Sequence, residues 1–211
     1  MKIITLLIAS TALLGCSVTH NVNVGNAPAI DLYSSYNDKV PGKWALVLET
    51  SKLAALSVVP DGSSCRGHKH NIDVAHSFAP SIISTLSNVF ESVVIERTTL
   101  SRSLASEAGY RGQIIVRGET FDAELRFIQA FWDAEYKASV KIVLSASIDG
   151  TQGRLYGSTV VGDAAATSSA SATCEGGSKA LGDATEGAVR ESLLKLGEGM
   201  ANSQRIRDYS G

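Results

Sequence analysis

Cys65, His68, His70, Asp73 and His76 bring five side chains of metal-ligating type into one short stretch. A thiol, imidazoles two residues apart and a carboxylate are donor types that hold zinc or copper. Lys69 stands between the first two histidines, Arg66 adds a second cation, and no familiar ligand spacing is met. The stretch therefore reads first as a solvated polar loop. A periplasmic metal-binding module built on the Cys65/His68/His70 region is the alternative. Elsewhere there is no Gly-x-Ser-x-Gly elbow, no His-Glu-x-x-His pair, no phosphate loop and no dinucleotide fingerprint. Gly197-Glu198-Gly199 starts like a glycine fingerprint but falls at the end of a helical pattern rather than after a strand. No catalytic residue and no cofactor are expected, and the chain is read as a non-enzyme.

The amino terminus carries a more specific chemistry. Lys2 is followed by residues 3–14, apolar apart from Thr5, Ser10 and Thr11, and then by Gly15-Cys16. A positive residue before a short apolar run is the pattern of a signal peptide, and the run is too short to span a bilayer. Leu13-Leu14-Gly15-Cys16 resembles the lipobox of bacterial lipoproteins. That resemblance, which covers residues 1–17, implies cleavage before Cys16 and acyl chains on it. Two or three chains make a lasting membrane anchor where one is marginal. Ser17 in place of Asp implies, by the same resemblance, retention in the outer membrane with the protein facing the periplasm.

With Cys16 lipidated, Cys65 and Cys174 remain. In an oxidising compartment such a pair is more often a bridge than two thiols. Both lie in Gly/Ser-rich segments upstream of helical patterns, so both can reach one end of a sheet. Two free, buried cysteines are the alternative, which geometry decides.

The 211 residues have Lys+Arg 19 against Asp+Glu 21, a formal charge of −2. That balance argues against a surface that neutralises phosphates, so no nucleic-acid partner is expected. Hydrophobic residues at 44% are enough for a real core, which excludes disorder of the whole chain. No run of about 18 apolar residues occurs, which argues against a bundle of membrane helices.

The elements that must hold these residues follow from periodicity. Residues 1–15 are read as the signal peptide, and 16–43, polar and broken by Gly25, Pro28, Pro41 and Gly42, as the lipidated end and tether. As a coil such a tether would span roughly 25–30 Å. A folded domain is expected over 44–203 and a frayed tail over 204–211. Residues 44–49 and 53–59 read as strands, the second stopped by Pro60-Asp61-Gly62. Over 77–94, Phe78, Ile82, Ile83, Leu86, Val89, Phe90 and Val93 mark an amphipathic helix. Phe121, Ala123, Leu125 and Phe127, then Tyr136 through Ile148 at every second position, alternate as half-buried strands, and 155–161 returns as a third. Residues 164–173 read as loop or frayed edge strand. A second helix carries Leu181, Ala184, Ala188, Leu193, Leu196 and Met200. Its several glycines imply either very close packing or a short, broken helix. Phe131-Trp132 falls at a hairpin tip, where it either tucks back onto the sheet or forms an exposed patch for a partner or the bilayer interface.

The expected fold is α+β, a two-layer sandwich of a mostly antiparallel meander with two amphipathic helices on one face. With its lipobox, tether, helix ending at Phe90, meander and closing helix, the chain resembles small envelope lipoproteins. These include the lipopolysaccharide-assembly lipoprotein, YajG-like lipoproteins, and those with a domain similar to the TolB amino-terminal domain. The resemblance brings no site residue. It implies an accessory or scaffold subunit of an envelope assembly, secretion or transport machine, held to the membrane through Cys16 beside an envelope protein partner.

Overall fold

A computed structural model describes residues 17–62, 65–129, 131–170 and 173–209. The signal sequence and Cys16 lie outside the described residues.

The main sheet has five strands. These are β2 (Val40–Glu49), β5 (Phe90–Glu96), β6 (Gly112–Gln129), β7 (Ala134–Gly150) and β8 (Gly153–Ser169), in the order β5-β2-β6-β7-β8. The meander β6-β7-β8 is antiparallel as expected, and β6 pairs with β7 from Gly112↔Gly150 to Gln129↔Ala134 with one register shift between Gly118 and Thr120. On β7 every second residue from Tyr136 to Ile148 is buried, which is the period-two pattern of the sequence realised in space.

The sheet is nonetheless mixed, because β2 is parallel to both β5 and β6. The reason is connectivity: parallel neighbours need a crossover, and helices supply both. Helix α1 (Ala75–Val89) lies between β2 and β5, and helix α2 (Arg102–Glu107) between β5 and β6. Helix α1 starts two residues earlier than its apolar stripe implied and ends at Val89, where Phe90 turns extended. Pro80 therefore falls in its second turn, where one helical hydrogen bond is missing.

A smaller sheet, β1-β4-β3, is built from β1 (Val18–Val22), β3 (Leu56–Val58) and β4 (His68–Ile72). Residues 53–59 are thus only partly strand, Leu53 closing a 3-10 turn before β3. Helix α3 (Gly176–Ala201) is long and continuous, and it shares one core with α1, β7 and β8. Its glycines are where other backbone comes close. A Cβ on Gly182 would stand 2.7 Å from the Asn23 carbonyl oxygen. From the sheet side, a Cβ on Gly162 would collide with the Ala188 carbonyl oxygen. Close approach, not fraying, explains the small residues, and β8 accordingly continues as an edge strand to Ser169.

Two segments depart from expectation. Residues 17–43 are not a tether. After β1 the chain runs as a strap across α1 and α3 before entering β2. Its amides donate to helix side chains: Gly25 to Glu186 Oε1 (2.6 Å), Ala27 to Ser81 Oγ (2.9 Å), Ala29 to Thr85 Oγ1 (3.0 Å) and Ser35 to Asn202 Oδ1 (2.7 Å). Ala27 and Ala29 are buried, small enough to let the strap lie flat. The polarity that suggested a coil is a set of backbone groups satisfied from outside. The carboxyl end is likewise packed. Helix α4 (Gln204–Arg207) buries Ile206, and Tyr209 lies tilted against Trp44 and accepts from the Thr151 amide at 2.7 Å.

Candidate functional site

Parallel pairing of β1 with β4 places His20 opposite His70 and Val18 opposite His68. Side chains at alternate positions share a face, so His20, His68 and His70 stack along one side of the pair. The ring centroids of His20 lie 5.0 Å from those of both His68 and His70. His20 Nε2 and His68 Nδ1 are 2.7 Å apart, a hydrogen bond whose donor depends on the tautomer. His70 is fully buried. Its Nδ1 meets Ser178 Oγ at 2.9 Å, and its ring packs against Gly177 at the start of α3 and edge-on to Tyr136. Among the described residues, His70 Nε2 and Tyr136 Oη are buried and have no hydrogen-bond partner. Burial, then the proximity of His20 and His68, pushes the His70 imidazole down to about 4, so it is neutral at physiological pH. Burial likewise raises the Tyr136 hydroxyl.

The residues suggested as metal ligands are divided among other tasks. Cys65 is bonded to Cys174, with Cα atoms 6.0 Å apart, and so offers no thiolate. Asp73 Oδ1 accepts from the Ala75 amide at 3.0 Å at the start of α1. His76 lies in the first turn of α1 and is exposed. Among the described residues no group of three or more His, Cys, Asp or Glu side chains is arranged to hold a metal ion. His20, the third member of the stack, lay outside the reading of the sequence. Only the β1–β4 register brings it there, and residues 17–43 gave no firm strand pattern.

The disulfide joins the turn before β4 to the turn before α3, and both cysteines hold positive φ, 63° and 57°. Other contacts gather at this end of the molecule. The Val18 amide donates to the Gly67 carbonyl at 2.9 Å, and Arg66 Nε to that of Gly62 at 2.7 Å. Asp61 is bridged to Arg126, and the Phe127 amide donates to its carbonyl at 3.0 Å. Just beyond lies the β6–β7 tip. Phe131 and Trp132 are 87% and 91% exposed, their rings edge to face at 4.7 Å. They do not tuck back onto the sheet. No helix among the described residues is long and apolar enough to cross a membrane.

No protein-family model matches the chain, and neither does any curated protein. Several solved structures resemble the chain at low similarity. A Xanthomonas campestris protein of the DUF330 family is 12% identical with a TM-score of 0.48, the match covering 86% of this chain and 93% of that one. A minor lipoprotein from Acinetobacter baumannii is 10% identical with a TM-score of 0.38, covering 74% and 90%. A Helicobacter pylori homolog of neuraminyllactose-binding hemagglutinin is 9% identical with a TM-score of 0.40, covering 83% and 86%. At these scores none of them assigns an activity, a partner or a site residue to this chain.

Proposed function

We propose that the protein is a lipid-anchored lipoprotein of the outer membrane, facing the periplasm. In this reading it serves an envelope assembly, secretion or transport machine as a non-enzymatic accessory subunit with an envelope protein partner. One observation carries the proposal: Leu13-Leu14-Gly15-Cys16 is followed, two residues after the cysteine, by a strand built into the domain. A lipid on Cys16 would therefore hold the domain against the bilayer surface rather than 25–30 Å away on a coil. The mechanism is positional. Acyl chains set height, and the packed strap 23–39 carries that constraint directly to α1 and α3.

The disulfide supports the same compartment, since such bridges persist where the surroundings are oxidising. The metal-binding alternative loses Cys65 to that bridge. The test is fractionation. Wild type should stay in membranes through a high-salt wash, Cys16→Ala should be released, and globomycin should accumulate an unprocessed form. Membrane retention of Cys16→Ala after the wash overturns the anchor.

A further inference from the structure

We propose that the Phe131–Trp132 tip is a second membrane contact, which inserts into the headgroup–acyl boundary of the bilayer that holds Cys16. The inference rests on the lipid-anchor reading and goes beyond it by fixing the orientation of the domain.

Strand directions carry the argument. The chain at Asp61 runs parallel to β6, toward the tip. Strand β4 is antiparallel to β3, which leads into Asp61, and β1 is parallel to β4. Strand β1 therefore runs away from the tip, and its first residue, Val18, lies at the tip's end of the molecule. Cys16 is two residues before Val18, which is a reach of about 7 Å at most. From Phe127, fastened to Asp61, to Phe131 is four residues, a reach of about 14 Å at most. Anchor and tip therefore leave the same end of the domain, on the same scale of length.

The chemistry of the tip fits that place. Phe131 and Trp132 are the two most exposed large apolar side chains among the described residues. Amphipathic aromatic rings settle at headgroup level, where the indole N–H stays hydrated and the ring body leaves water. Asp133 and Glu135 flank the pair, both outside ion pairs among the described residues, which favours zwitterionic over anionic headgroups. Two or three acyl chains on Cys16 are already a lasting anchor, so the role of the protein-borne contact is to stop the domain from pivoting about a single point.

Two tryptophans make the test clean, because Trp44 is fully buried and Trp132 is 91% exposed. Full-length lipidated protein is reconstituted into phosphatidylethanolamine/phosphatidylcholine vesicles, and the Trp132 signal is isolated by difference from Trp132→Phe. On vesicles the Trp132 emission should shift to the blue, lose access to aqueous acrylamide and be quenched by lipids brominated near the headgroup. A Phe131→Ser/Trp132→Ser protein should fold and stay bound through Cys16, but lose its fixed orientation in polarised infrared spectra. If vesicle-bound protein keeps Trp132 accessible to acrylamide, the tip faces water and the proposal fails. Concentration-dependent protection without vesicles means a second copy covers the tip, which also overturns it. Failure of the anchor reading is distinct: Cys16→Ala would then bind vesicles as the wild type does.

Discussion

Acidification should weaken the fold through His70 before the carboxylates titrate. The imidazole is fully buried, and its folded-state value is lowered from 6.5 to about 4 by burial first and by His20 and His68 second. Between those values the unfolded chain binds a proton that the folded chain refuses, so stability falls as pH drops through 6.5 and the loss is complete near 4. The full shift corresponds to about 3 kcal/mol, of which about 1 kcal/mol is lost by about pH 5.5. For a urea slope of about 2 kcal/mol/M that is a midpoint lower by about 0.5 M. The assay is urea unfolding across this range for wild type and His70→Leu, a substitution of similar volume that also removes the unpartnered Nε2. His20, His68 and His76 remain in both proteins, so the difference isolates His70. The variant's midpoint should be flatter between about pH 7.5 and 5.5. Parallel curves would refute a neutral, buried His70.

Breaking the Cys65–Cys174 bridge with a double serine variant releases a loop of 109 residues, for which the chain-entropy limit is about 4.7 kcal/mol. A loss of about half that is expected in thermal or urea unfolding, and reduction of the wild type should match it. Gly162→Ala drives a methyl into the Ala188 carbonyl and should cost about 1–3 kcal/mol, whereas alanine at the open Gly157 should cost less than Gly162→Ala. Ser81→Ala strips the Ala27 amide of its buried partner and should cost about 1–3 kcal/mol. Hydrogen exchange should then show faster exchange along the strap 23–39 than in α3, and equal exchange in both would contradict the strap's dependence on this bond.

The meander was legible because β7 alternates one buried and one wet side chain over its whole length, a signal that sequence carries without help. The pairing of Cys65 with Cys174 was also within reach, since compartment and position before the two helices narrow the choice. Three things were not. The strap has no period, because its stability comes from Ser81, Thr85, Glu186 and Asn202 on distant helices rather than from its own side chains. The glycines of α3 read as weakness when local propensity alone is weighed, yet at Gly182 the missing Cβ is what admits the Asn23 carbonyl. The histidine stack needs the β1–β4 register, which pairs His20 with the distant His70 and which no local pattern announces. The parallel placement of β2 follows from the crossover helix α1, which the apolar stripe did reveal, but the antiparallel meander dominated the reading.

The central claim is that Cys16 is the mature amino terminus and carries lipid. Mass spectrometry of the amino-terminal peptide from membrane-extracted protein tests it directly. The expected peptide begins at Cys16, with a diacylglyceryl thioether on the sulfur, and no peptide from residues 1–15 is found. A peptide that retains residues 1–15, or one that begins elsewhere with an unmodified Cys16, would contradict it.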